Sequence, residues 1–362
     1  MNQSLFPQQV ERYFPNYVLS VTEYLNGRSL NNRAIPFLFR QLLTPRYSAD
    51  GRWAAISAQY QNVAADVVAL GSETPLKSRD SLMTYVGEIP KLAMKRSMNE
   101  VEMKNIDSMI AQNRPEEDII NRIFSDVPVV INGIDERLED IFLSMFSTGI
   151  GLATNNIGQG VRIDMHYLPE NMKGVAMPWN NAAANPVDDV VGILDQANAD
   201  GNAIRFAYAD DIVLRALYKN SEIRGLFGFQ QNYVGGGSNV PALSFDQLRD
   251  LFQRQWGTEL VRVARSTRTE VNGQRGAHKA WKNGMMVFCC DERVGDLVYS
   301  STAEETRPVQ GVSYQMANGY TLVSQYSEQE PLMEFTKAQA MAVPVINNVD
   351  RIYTLDTTTP QA

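Results

Sequence analysis

Histidine and cysteine are nearly missing from this chain, with two of each in 362 residues. His166 and His278 stand far apart and neither belongs to an HExxH spacing, so no Cys/His cluster can build a zinc site. No GxSxG elbow marks a nucleophile. Cys289 and Cys290 are adjacent in the run MMVFCC. Neighbouring strand positions face opposite ways, so the pair reads as buried small hydrophobes rather than a disulfide. That fits a reducing compartment. Long hydrophobic runs are also lacking: none approaches the roughly 20 residues that span a bilayer. The start, MNQSLFPQQVERYF, has no basic region followed by an apolar one, so no signal peptide is expected. A soluble chain made in the cytoplasm is the expectation.

Positive charge is short as well. The formal net charge is -8 and no block of Lys/Arg stands out, which argues against phosphate-backbone binding as the main task. The most basic stretch runs from Arg262 to Lys282 and holds Arg262, Arg265, Arg268, Arg275, His278, Lys279 and Lys282 against Glu270. Its sole aromatic is Trp281, too little for a base-stacking surface, so a solvated loop or subunit contact is preferred.

What the chain does have is globular composition, 44% hydrophobic and 20% charged, and length for two or three domains. Residues 1–45 mix short helical patterns with turn residues. The apolar piece Ala34–Leu43 could clasp a neighbour as a terminal arm or pack on its own domain. From Tyr47 to Lys95, β-prone pieces (WAAISAQY, VAADVVAL, SLMTYVGEI) flank the polar stretch GSETPLKSRD, Gly71 to Asp80. This reads as two strand arms with a charged tip, or as an ordinary sheet. An isolated hairpin is marginal in water, so the first reading needs cover from elsewhere.

Helices follow. Val101, Met103, Ile106, Met109 and Ile110 form one stripe, and Pro115 with Glu116, Glu117 and Asp118 marks a helix start. After Pro128 a longer helix carries Ile134, Leu138, Ile141, Phe142 and Met145 on one face, and Gly149 stops it. A Gly/Asn-rich link over Thr154–Gly160 leads to a strand predicted over Val161–Tyr167. The glycines of GIGLATNNIGQG fit no phosphate-cradle spacing and read as linker. Asn185–Pro186 starts a helix, Ala203–Tyr208 a strand, and Asp210–Asp211 a second helix. Ser244 and Gln247 form a capping box for a helix that Gly257 ends, and Asn272–Gly273 signals a hairpin. The pairs Asp188–Asp189 and Asp210–Asp211 could hold a cation. Each opens a helix, where carboxylates cap free amides, so capping is the preferred reading. No catalytic, cofactor or metal residue is assigned.

Two stretches together, Tyr60–Glu100 (YQNVAADVVALGSETPLKSRDSLMTYVGEIPKLAMKRSMNE) and Gly319–Thr357 (GYTLVSQYSEQEPLMEFTKAQAMAVPVINNVDRIYTLDT), resemble the phage major capsid protein E family, typified by the lambda shell. Ile204–Phe227 is similar to that family's axial strand–helix segment. The resemblance implies an α+β, Hong Kong 97-like major capsid fold. It places an N-terminal arm at 1–45, an extended loop at 46–96, and spine helix with peripheral domain at 97–185. The axial domain takes 186–319, and the return to the peripheral domain 320–362. It implies hexamers and pentamers of an icosahedral or prolate shell around double-stranded DNA, in the virion of a tailed bacteriophage, assembled in the host bacterial cytoplasm. The short stretch before the hairpin leaves little room for a fused scaffold. A separate scaffolding protein, a portal and a decoration protein are the implied partners, with no membrane. Glu73, Lys77, Arg79 and Asp80 at the hairpin tip are the expected intersubunit contacts. Two alternatives remain: a shell-forming nanocompartment of the encapsulin kind, and an α/β metal-dependent enzyme using the acidic pairs.

Overall fold

A computed structural model describes residues 2–30, 36–58, 82–154, 160–230, 243–271 and 274–360. The chain opens with helix α1 (Pro7–Leu30) and the single turn α2 (Leu38–Leu42). Short helices broken by turns were the expectation here. Instead α1 runs 24 residues straight through Pro15. Phe6, Val10, Phe14 and Val18 recur every four residues and are all buried, with Phe14 and Tyr17 on the ring of Phe124. That continuous stripe outweighs the one hydrogen bond a proline removes.

Strands β1 (Leu43–Tyr47), β2 (Arg52–Ala58), β3 (Leu82–Glu88) and β4 (Lys91–Met98) follow, then helices α3 (Glu100–Ala111), α4 (Glu116–Ile123) and α5 (Val127–Thr148). The α5 helix has Pro128 in its first turn and ends at Gly149, whose φ of +77° is a left-handed cap that favours glycine. Next come β5 (Ile150–Thr154), β6 (Gly160–Asp164) and β7 (Met172–Val175), helix α6 (Pro186–Ala199), β8 (Phe206–Asp210), and helices α7 (Asp211–Lys219), α8 (Ser221–Gln230) and α9 (Phe245–Trp256). The chain continues through β9 (Glu259–Val263), β10 (Thr267–Val271), β11 (Gln274–His278), β12 (Met285–Cys289), β13 (Gly295–Ser300), the short α10 (Ala303–Thr306), β14 (Ser313–Ala317), β15 (Thr321–Gln329), β16 (Leu332–Ile346) and β17 (Ile352–Pro360).

Two sheets organise these elements. In the larger, β1, β13, β16, β15 and β14 lie in that order, and β4 also pairs with β16. In the second the order is β7, β17, β12, β8, β9. This second sheet is a wall between two cores. Met285, Val287 and Cys289 of β12 face the core around α5. Met286, Phe288 and Cys290 face the core formed with α6, α7 and α9. Burial on both faces explains why MMVFCC is an unbroken apolar run rather than an alternating one. The predicted strand Ala203–Tyr208 lies three residues later, at Phe206–Asp210, because Ala207, Tyr208 and Ala209 are the residues both cores enclose. Likewise the strand expected over Val161–Tyr167 ends at Asp164; His166 turns into a left-handed conformation, φ +50°.

The capping signals act as read. Asn185 accepts from the Asp188 amide, and Ser244 and Gln247 complete a reciprocal capping box.

Candidate functional site

The spine helix α5 carries, inside its apolar stretch, the heptapeptide Ile134–Asp140 with four carboxylates. Such groups are buried only when paired, and here each has a partner from a distant part of the chain. Asp135 accepts from Arg40 at 2.6 Å and from the Tyr320 hydroxyl at 2.9 Å. Glu139 accepts the backbone amides of Leu38 (2.9 Å) and Phe39 (3.0 Å), so it caps α2 from across the core. Asp140 accepts from the Thr267 hydroxyl at 2.6 Å and lies 2.7 Å from His278 Nδ1. Glu136 pairs with Arg265 at 2.5 Å, and that guanidinium lies 3.9 Å over the Phe37 ring.

Burial pushes Glu139 up to about 7, against the pull of the two amides and Arg265. Asp135 is raised by the same cause, partly offset by Arg40. The four acids thus tie the N-terminal segment, the β14–β15 turn and the β10–β11 ribbon to one helix. The arrangement is a hub that fixes geometry, because donors of the chain itself reach each of the four carboxylates. Sequence reasoning passed over this motif; its signal is the cluster of acids interrupting a helix that Gly149 and Pro128 otherwise delimit clearly.

Asp140 grips the ribbon at one register pair, Thr267 opposite His278. Beyond that root every residue from Gln274 to His278 is exposed. The basic stretch is largely neutralised within the chain: Arg262 pairs with Asp211, Arg265 with Glu136, Arg275 with Glu270, Lys279 with Asp210 and Lys282 with Asp356. Arg268 is exposed.

Asp210 caps α7 and both it and Asp211 are ion partners, whereas Asp188 and Asp189 lie in the first turn of α6, which Asn185 caps. Asp210 accepts from the Val213 amide and from Lys279, and Asp211 from Arg262. Asp188 accepts from Asn185, and Asp189 from the Trp179 indole at 2.7 Å. Among the described residues no cluster of three His, Cys, Asp or Glu could hold a metal ion. Both cysteines are buried and free.

The tip residues Glu73, Lys77, Arg79 and Asp80 lie outside the described residues. The base of their hairpin is described. Strands β2 and β3 pair antiparallel from Arg52–Glu88 to Ala58–Leu82. Trp53 and Ala55 point inward and are buried, whereas Val86 on the other face is 68% exposed. Gly87 lets the indole of Trp53 cross the partner strand, since a Cβ there would fall 2.6 Å from Trp53 Nε1.

No family model matches the sequence, and no curated protein matches it significantly. Solved structures do. A phage-related protein from Bordetella bronchiseptica RB50 superposes with a TM-score of 0.52 at 12% identity, covering 94% of this chain and 98% of that one. A protein assigned as the capsid protein of a prophage of E. coli CFT073 gives a TM-score of 0.55 at 15% identity, covering 92% and 98%. Both likenesses extend over nearly the whole chain rather than resting on one motif. The chain therefore has the Hong Kong 97-like fold of tailed-phage capsid subunits.

Proposed function

We propose that this protein is the major head protein of a tailed bacteriophage, whose copies assemble as hexamers and pentamers into a closed shell around double-stranded DNA. The observation that carries the reading is the extent of the structural likeness, which covers 92% of this chain and 98% of a prophage capsid protein. An acidic chain, with its basic stretch spent on internal ion pairs, suits a wall that holds DNA without gripping it. In this reading residues 1–45 act as the N-terminal arm, 46–96 as the extended loop, 97–185 and 320–362 as the peripheral domain with its spine, and 186–319 as the axial domain. A separate scaffolding protein, a portal and a decoration protein complete the assembly.

Each subunit in such a shell makes several different contacts with identical neighbours. The hairpin reaches over one of them, and Glu73, Lys77, Arg79 and Asp80 at its tip form intersubunit ion pairs. Single exposed pairs contribute roughly 0–1 kcal/mol, so stability comes from their multiplicity and from buried apolar area. The test is the double variant Lys77→Glu, Arg79→Glu. Electron microscopy and sedimentation should show fewer shells with soluble folded subunit remaining; normal particle yield would remove the tip from the contact. A chain that stays monomeric alone and with its neighbouring genes expressed would overturn the shell itself.

A further inference from the structure

Two hairpins leave the body of this subunit, β2–β3 and β5–β6, and their bases touch. The ring of Tyr85 on β3 stacks on the imidazole of His166, centroids 4.5 Å apart and planes 24° apart. Tyr85 shares the inward face with its register partner Ala55. His166 holds a left-handed backbone, φ +50°, which few side chains adopt without help. The help is local: its amide donates to Asp164 Oδ1 at 2.9 Å, and Arg162 pairs with the other oxygen of Asp164 at 3.5 Å.

The residues on either side of His166 are fastened to the end of the spine helix. The Met165 amide donates to the carbonyl of Gly149, the α5 cap, at 2.8 Å. Tyr167 is buried and its hydroxyl donates to the Phe146 carbonyl at 3.3 Å. Its ring lies so close over Gly149 that a Cβ there would come within 2.9 Å of Tyr167 Cγ. An unbroken set of contacts thus runs from the last turn of α5 through Tyr167 and His166 to Tyr85.

We propose that Tyr85 and His166 form a latch that fixes the take-off direction of the β2–β3 hairpin to the C-terminal end of the spine helix. His166 presents its ring outward while Met165 and Tyr167 on either side of it stay anchored. A movement of the α5 end is then transmitted to the hairpin, and loss of the stack loosens the hairpin, which Trp53 and Ala55 still hold to the core, without unfolding it or the helix. Aiming the hairpin at a neighbouring copy rests on the shell reading; the latch itself is a property of the single subunit, so the two can fail separately.

The experiment is amide hydrogen exchange on the unassembled full chain with His166→Asn, Tyr85→Leu and the pair combined. Asparagine tolerates the left-handed backbone and leucine keeps apolar bulk, so each removes mainly the ring contact. An aromatic pair is worth enough that each single variant should speed exchange of the β3 amides about two- to tenfold. The double variant should match the singles rather than multiply them. Tyr85→Phe, which keeps the stack, should stay closer to the parent than Tyr85→Leu, and the α5 amides should stay protected throughout. Unchanged β3 exchange in His166→Asn, or independent multiplying effects, would overturn the latch.

Discussion

Glu139→Gln should flatten one component of the protein's stability against pH. Glu139 is fully enclosed on α5, and its two oxygens accept only the Leu38 and Phe39 amides. Burial raises its folded value from 4.5 to about 7, whereas the unfolded chain keeps the ordinary one. A raised folded value means the folded state holds the proton more tightly. The stabilising contribution is therefore fully present below the unfolded value and is lost as pH rises through about 7. At about 1.4 kcal/mol per pH unit, moving from pH 8 to pH 5 should stabilise the parent by about 2–3 kcal/mol relative to the glutamine variant. Glutamine cannot titrate, and the acceptor it loses adds an offset that does not vary with pH. Urea unfolding of the unassembled subunit, followed by tryptophan fluorescence at pH 5, 6, 7 and 8 for both proteins, measures the difference directly. Other buried acids such as Asp135 and Glu334 cancel between the two curves. Parallel stability profiles, within about 0.5 kcal/mol across the range, would refute the burial argument, because the expected divergence is about five times larger.

Asp140→Ala should leave Thr267 and His278 without their shared acceptor and loosen the β10–β11 ribbon at its root. Amide exchange across 267–278 should rise while β12 stays protected; a general loss of protection would mean that Asp140 holds the core instead. Cys289 and Cys290 should resist thiol reagents at pH 8 until denaturant is added, because burial pushes Cys290 up to about 11 and Cys289 further. Rapid labelling of either in the folded chain would contradict the enclosed wall strand.

Local signals located most of the secondary structure. Pro128 and Gly149 delimited the spine, and Asn185 and Ser244 started their helices, because these residues act on the backbone next to them. What sequence could not supply was the identity of distant partners. The capping preference for Asp210 was legible, but its ion pair with Lys279 joins residues 69 apart. The acids of α5 went unread because their donors, Arg40, Tyr320 and Thr267, come from three separate regions. The unbroken length of α1 was not legible for the same reason: the burial that carries it through Pro15 depends on Phe124, far along the chain. The tip of the hairpin, first choice as a contact from its charges, is supported by composition alone.

Strand β16 sits between β13 and β15 and also pairs β4, and β17 lies between β7 and β12. The strands that complete both sheets thus come later in the chain than the strands they join. Until residues 332–360 emerge, β4, β13 and β15 lack their shared partner, and β7 and β12 have nothing between them. Synthesis adds about 5–20 residues each second, so the earlier elements wait unclosed for most of the time the chain is being made. A chain broken off before Leu332 could close neither core. The order of the strands therefore works as an inspection step: both sheets close only on chains in which the strands that follow their other members have been made.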